Sequence, residues 1–180
     1  MSPLTFIAAW GVLGALREGY SPVNDPISRL AAVGATTRLP MTGAFLVFGA
    51  GVALYGAELR RVMPGGAGVA AITTAVASVG IAATPLGSAL GGNAHATCAG
   101  IAYASLAATP LLGARSFWAR DQRVAAAASV TLGLASGASL VASALAGSRI
   151  GLFQRTGLTL GDAWIIATAL TMIRSARTPD

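Results

Sequence analysis

Apolar residues in this chain do not alternate with polar ones; they run on, and the charged residues stand only between the runs. Six runs separate at the charges: Pro3 to Leu16, Met41 to Ala57, Gly65 to Thr84, His95 to Leu112, Val124 to Leu145 and Gly157 to Ile173. A helix that crosses a bilayer needs about 20 mostly apolar residues. The pattern therefore predicts an all-α polytopic membrane protein, a bundle of six transmembrane helices forming one integral membrane domain over residues 1–180. The first run is short for a span and is expected to lie in locally thin membrane or to extend into the following loop. No Lys or Arg precedes its apolar stretch, so it lacks the charged start of a secretory signal and reads as a retained first helix.

Composition supports the same class. Only 10% of residues are charged, against about 25% in a soluble domain, too few to cover a water-facing surface. The twelve basic residues are all arginine and give a net charge of +6. They stand singly between apolar runs, with no basic stripe and no interleaved aromatics, which argues against nucleic acid as a partner. By position they divide into seven (60, 61, 115, 120, 123, 174, 177) on the side of the termini and five (17, 29, 38, 149, 155) on the other. The positive-inside rule then puts both termini in the cytoplasm of a bacterial inner membrane. The single cysteine, Cys98, can form no internal disulfide.

Alanine and glycine supply 63 of the 180 residues. In lipid, small residues let helix backbones approach and gain dispersion contacts. Gly49, Ala53 and Ala57, and on the fifth run Ala126, Ser129, Gly133, Ser136 and Ser143, form such faces, which also offer a homo-oligomer contact. Pro110 and the Ser136-Gly137 pair are expected bend points. Mid-span hydroxyls such as Thr73, Thr74, Ser78, Ser105 and Thr131 are expected to bond back to their own helices. With no charge in the middle of a span, an ion path is not indicated.

Polar chemistry collects on the side poorer in arginine: Arg17, Glu18, Asp25, Arg29, Arg38, His95, Arg149, Arg155 and Asp162. In the first loop, Asn24 or Asp25 before Pro26 signals a helix start and Gly34 a stop. A short helix over Pro26 to Val33 is expected, interfacial or re-entrant between the spans. His95 follows the expected N-cap Asn93. A helix N-terminus disfavours a positive charge, and a neutral imidazole can both accept and donate a hydrogen bond. Asp162 falls about five residues, roughly 7 Å, inside a helix beginning near Gly157. An acid at such depth is paired or functional by default; Arg155, Arg149 and the first-loop arginines are the candidate partners.

The run Gly19-Tyr-Ser-Pro-Val-Asn-Asp-Pro-Ile-Ser-Arg-Leu-Ala31, a later His95 opening the fourth helix, and six spans in 180 residues resemble the actinobacterial branch of the uncharacterised six-helix membrane family DUF 998. The resemblance covers nearly the whole chain and implies six helices with a re-entrant or interfacial first loop near the histidine. It supplies no reaction. That family is similar in outline to the membrane hydrolases that include alkaline ceramidases, which combine a serine, an aspartate and several zinc-binding histidines. This chain departs from them: with one histidine and one cysteine it cannot build a three-histidine zinc centre, and no metal or cofactor is expected.

These residues suggest a polar cup for a lipid or isoprenoid amphiphile, facing away from the cytoplasm. Arg29, Arg149 and Arg155 match the geometry of phosphate or carboxylate, with Tyr20, Ser28 and Trp164 beside them. The enzyme reading adds acid/base chemistry by Asp162, Asp25, His95 and Glu18, for example proton-initiated terpenoid cyclisation. The alternatives are a non-catalytic lipid-binding or structural module, and a serine-type lipid hydrolase using Ser28, His95 and Asp25.

Overall fold

A computed structural model describes residues 2–177. The described chain is all-helical, with α1 over Ser2–Leu16, α2 over Arg38–Val62, α3 over Ala67–Ala83, α4 over Asn93–Ala119, α5 over Arg123–Leu145 and α6 over Ile150–Arg177. Four of them, α2, α4, α5 and α6, are long and apolar enough to cross a membrane. The six spans expected from the sequence thus become four of full length and two shorter apolar helices. At 1.5 Å per residue, α1 with 15 residues and α3 with 17 extend about 23 Å and about 26 Å, against a hydrocarbon core of about 30 Å.

The departure that bears on the site is the start of α6, seven residues ahead of the expected Gly157; α4 likewise runs seven residues past the expected Leu112, to Ala119. Arg149 takes a left-handed φ of 68°, and its carbonyl accepts the N–H groups of Leu152 and Phe153 at 3.1 and 3.3 Å, so the helix begins there. Gln154 and Arg155 read as loop residues by their polarity. They fit inside the helix because both turn towards protein and are buried.

In the first loop the expected short helix is a 3-10 turn over Ile27–Ala31, with Pro26 in extended conformation at its N-cap position. Asp25 does not cap it; its carboxylate accepts the Ser21 N–H at 2.8 Å, four residues back. The turn buries Ile27, Ser28, Leu30 and Ala31 against α1, α2 and α6.

Each helix packs on the next in sequence. In addition, α1 touches α6 and α4 touches α6 across the bundle, so the six close into a ring around a core rather than a flat row. Phe6 of α1 stacks at a tilt on Phe45 and Phe48 of α2, with ring centroids 5.1 and 4.8 Å away. Small residues set the other distances. A Cβ on Gly68 of α3 would lie 2.6 Å from the Gly56 carbonyl oxygen of α2, so the two helices approach closely only because that atom is missing, and Gly49 adds a tight contact with the Ala75 carbonyl oxygen at 3.1 Å. The small face on α5 is as the spacing predicts, its buried residues being Ala126, Ser129, Gly133, Ser136 and Ser143. On α2 the face is rotated: Gly49, Val52 and Gly56 are buried, whereas Ala57 is exposed.

Both ends are tied. At one, the Leu152 N–H donates to the Val23 carbonyl at 2.9 Å and the Val33 N–H to the Leu86 carbonyl at 2.8 Å, joining the first loop to α6 and to the α3–α4 loop. At the other, the Ser116 hydroxyl donates to the Pro64 carbonyl at 3.1 Å, and Arg120 donates to the Val62 carbonyl.

Candidate functional site

The first loop is clasped by the first two turns of α6. Arg155, 8% exposed, donates through one guanidinium nitrogen to the carbonyls of Pro22, Asp25 and Gly151 at 2.6, 3.1 and 3.0 Å. Through another it donates to the Tyr20 hydroxyl. Its guanidinium also lies over the rings of Trp10, 5.2 Å from the centroid, and Tyr20, at 5.6 Å, where the ring quadrupole attracts the cation. Burial pushes the Tyr20 hydroxyl above its ordinary pKa, and the neighbouring Arg155 offsets this only in part. Asp25 ion-pairs with Arg29. Burial alone would raise its pKa, but the Ser21 N–H, Arg29 and Arg17 together hold the carboxyl below the usual carboxylate range.

Beneath this clasp lies a cavity of about 450 Å³, counting its mouth. One face of α4, at helical spacing, provides a wall of His95, Ala99, Ala102, Tyr103 and Leu106; Phe6, Phe45 and Phe48 close another side and Ser28 of the turn looks in from the loop. His95 is 6% exposed and its Nδ1 stands 2.7 Å from the Thr84 carbonyl oxygen. A carbonyl only accepts, so Nδ1 carries the hydrogen, and in the neutral ring Nε2 is an acceptor. Nε2 has no protein partner among the described residues. The hydroxyls of Thr74 and Ser78 on the far wall bond to the Ala70 and Thr74 carbonyls at 3.1 and 2.8 Å, as expected, and offer a ligand little. The polar groups left for a ligand are thus the imidazole and the Ser28 hydroxyl.

Gln154 forms the boundary of this space. Its carbonyl oxygen accepts the Ile27 N–H at 2.7 Å, and its amide nitrogen donates to the Tyr103 hydroxyl. One side chain thereby ties the 3-10 turn, α4 and α6 together. On the far side of the Tyr103–Gln154 pair is a second, smaller pocket between α4, α5 and α6, which shares Tyr103, Leu106, Gln154 and Leu158 with the first.

The structure brings together only some of the residues expected in the polar cup. Ser28 and His95 line the cavity. Tyr20, Asp25, Arg29 and Arg155 belong to the clasp above it; the terminal nitrogens of Arg155 go to the Pro22, Asp25 and Gly151 carbonyls and the Tyr20 hydroxyl, and its Nε is buried without a hydrogen-bond partner. Glu18 and Arg149 are exposed at the same end. Trp164 is a packing residue deeper in the bundle: it is 3% exposed, its indole N–H donates to the Ser129 hydroxyl at 2.7 Å, and its ring fills the space beside Gly113. Asp162 is fully buried, and the earlier start of α6 puts it twelve residues, about 18 Å, along the helix. Neither carboxylate oxygen has a hydrogen-bond partner, so none of the arginines expected to pair with it does so, and it does not line either cavity.

Gln154 stands ahead of the apolar run that begins at Gly157, so the hydrophobic pattern does not single it out. The spacing of Gln154, Leu158 and Asp162, each four apart, was the signal that they share one helix face. Among the described residues no three His, Cys, Asp or Glu side chains gather as metal ligands do.

No curated protein and no solved structure matches the chain. The family model described as a protein of unknown function, DUF998, matches residues 1–171. That span takes in the clasp, the cavity and all six helices as far as the last turns of α6, and the chain belongs to the DUF998 family.

Proposed function

We propose that this protein crosses a bacterial inner membrane six times with both termini in the cytoplasm, and that it holds a lipid or isoprenoid amphiphile in the cavity under its first loop. Acid/base chemistry on that ligand falls to His95. The observation that carries this reading is the pocket under the first loop, mostly apolar, in which Thr74, Ser78, Tyr103 and Gln154 are engaged by protein while the Nε2 of His95 and the Ser28 hydroxyl are left bare. Such a space, mostly apolar with few convergent polar groups, is the usual form of a small-ligand site. The short helices α1 and α3 support six spans where the membrane thins around them, with the clasped first loop dipping in from the outer face.

General-base catalysis suits the geometry better than proton donation. Asp25 is an ion-paired carboxylate outside the cavity and Asp162 lies off its lining, so a proton-initiated cyclisation finds no carboxylic acid at the ligand. Ser28 and His95 on one cavity favour a second reading, a serine-type lipid hydrolase. There the Thr84 carbonyl, in place of Asp25, would fix the imidazole tautomer, as the carboxylate does in a catalytic triad.

Native mass spectrometry of the protein released from membranes tests the site. The wild type is expected to retain a lipid adduct that Ala102→Trp, which fills the cavity, loses. Ala99→Leu, a milder filling of the same wall, is expected to reduce it, and Asp162→Asn to retain it. An adduct unchanged in both filled variants overturns the site. Labelling of Ser28 by a lipophilic fluorophosphonate, abolished in His95→Ala, selects the hydrolase; absence of labelling selects binding or base chemistry without a serine nucleophile.

A further inference from the structure

The two cavities have four residues in common, Tyr103, Leu106, Gln154 and Leu158, and only the Tyr103–Gln154 hydrogen bond stands at their junction as a polar contact. Beyond it, the second cavity's hydroxyls are already engaged. Ser136 donates to the Gly157 carbonyl at 2.8 Å and Ser143 to the Leu140 carbonyl at 2.8 Å. A ligand entering that space meets a wall that is apolar in effect.

Charge gives a second constraint. No Arg, Asp or Glu lines either cavity. The nearest buried cation, Arg155, is committed to three carbonyls and the Tyr20 hydroxyl. An anionic head group moved into such a space without a countercharge loses its hydration uncompensated, whereas a hydroxyl can donate to the bare Nε2 of His95. Of the arginines that suggested a phosphate site in the sequence, Arg155 and Arg29 therefore brace the lid of the cavity, and Arg149 is exposed outside it.

Resting on the proposed lipid site, we infer that the two cavities are one elongated channel for a single-chain amphiphile with an uncharged hydroxyl head. The head lies at His95 and Ser28. The tail passes the Tyr103–Gln154 pair and ends against the α5 face Ser136, Leu140 and Ser143, where it gains dispersion contacts as the pocket widens around it. Because Gln154 also holds the Ile27 N–H, the partition is coupled to the first loop, and displacement of the turn opens the passage to the tail.

The test uses the full chain in nanodiscs and octadecanol carrying a photoreactive diazirine at its chain end. Photolysis is expected to label the 136–143 segment of α5, with labelling suppressed several-fold by excess octadecanol and not by octadecyl phosphate. Leu140→Phe, a mild narrowing of the second cavity, is expected to move the label to the α2 and α3 walls. Competable labelling confined to those walls in the wild type overturns the channel while leaving the lipid site intact. Competition by octadecyl phosphate equal to that of the alcohol overturns the uncharged head. No competable labelling of any lining segment overturns the lipid site itself.

Discussion

The five arginines on the first-loop side do different work according to what surrounds them. Arg155 is buried and hydrogen-bonded to the carbonyl oxygens of Pro22, Asp25 and Gly151; Arg149, six residues earlier, is exposed. A hydrogen bond to a charged group contributes about 1.5–3 kcal/mol, and a buried acceptor left bare loses stability. Arg155→Ala is therefore expected to destabilise the protein by at least about 2 kcal/mol, with early protease cleavage in the first loop, and Arg149→Ala by no more than about 0.5 kcal/mol. Equal melting temperatures for the two variants in the same detergent would contradict the clasp. Asp25 gives the loop a pH dependence. Its folded pKa lies below the ordinary value, so its contribution is complete above the unfolded carboxylate pKa of about 3.9 and is lost as pH falls through the lower folded value. Hydrogen exchange of residues 17–37 is expected to stay slow at neutral pH and to quicken below about pH 4; in Asp25→Asn the acid step should vanish, and its persistence would assign the effect elsewhere. The sequence marked both residues as candidates. It could not show that their partners are mainly backbone groups, because any residue supplies a carbonyl or an N–H and leaves no trace in side-chain pattern.

At the level of elements, most of the helices follow from where charges interrupt apolar runs, and the α5 face follows from its small residues at helical spacing. The element that misled was α6. Polarity at Gln154 and Arg155 argued for a loop, but a helix tolerates such residues when neighbouring protein satisfies them. Gly151 makes that possible. A Cβ there would strike the carbonyl oxygens of Asp25 and Pro22 and the Arg155 guanidinium, so the first loop can seat on α6 only over a glycine. Gly151→Ala is expected to cost about 1–3 kcal/mol, the usual range for overpacking, and to release the loop. Its signature is faster exchange of the Leu152 and Ile27 amides, which donate across the seam; unchanged exchange at both would show that the seam has room. The candidate site was legible only in fragments for the same reason. Ser28 and His95 stood out by type, while Tyr103 and Gln154 matter through a contact between helices that are far apart in sequence.

For the whole molecule, the ring closed by α1 and α6 places the first loop, the α3–α4 loop and the start of α6 at one end. The proposed orientation sets this end outside the cytoplasm, and Ser88 in the α3–α4 loop offers a place to test it. With Cys98→Ala as background, Ser88→Cys is expected to react with an impermeant maleimide added to intact cells; reaction only after the cells are opened would invert the topology. The sequence by itself determined the class, because the bilayer tolerates only long apolar helices and confines charges to their ends. It determined the family, the ends of most helices and the end of the molecule where polar groups gather. Tertiary structure alone decided which of those groups face a cavity. It turned Arg155 into a clasp, removed Asp162 and Trp164 from the site and brought Gln154 in. The physical reason is that apolar runs report each helix's medium, whereas the rotation of one helix against another is set by contacts at single small residues such as Gly49 and Gly151, and those decide what each side chain meets.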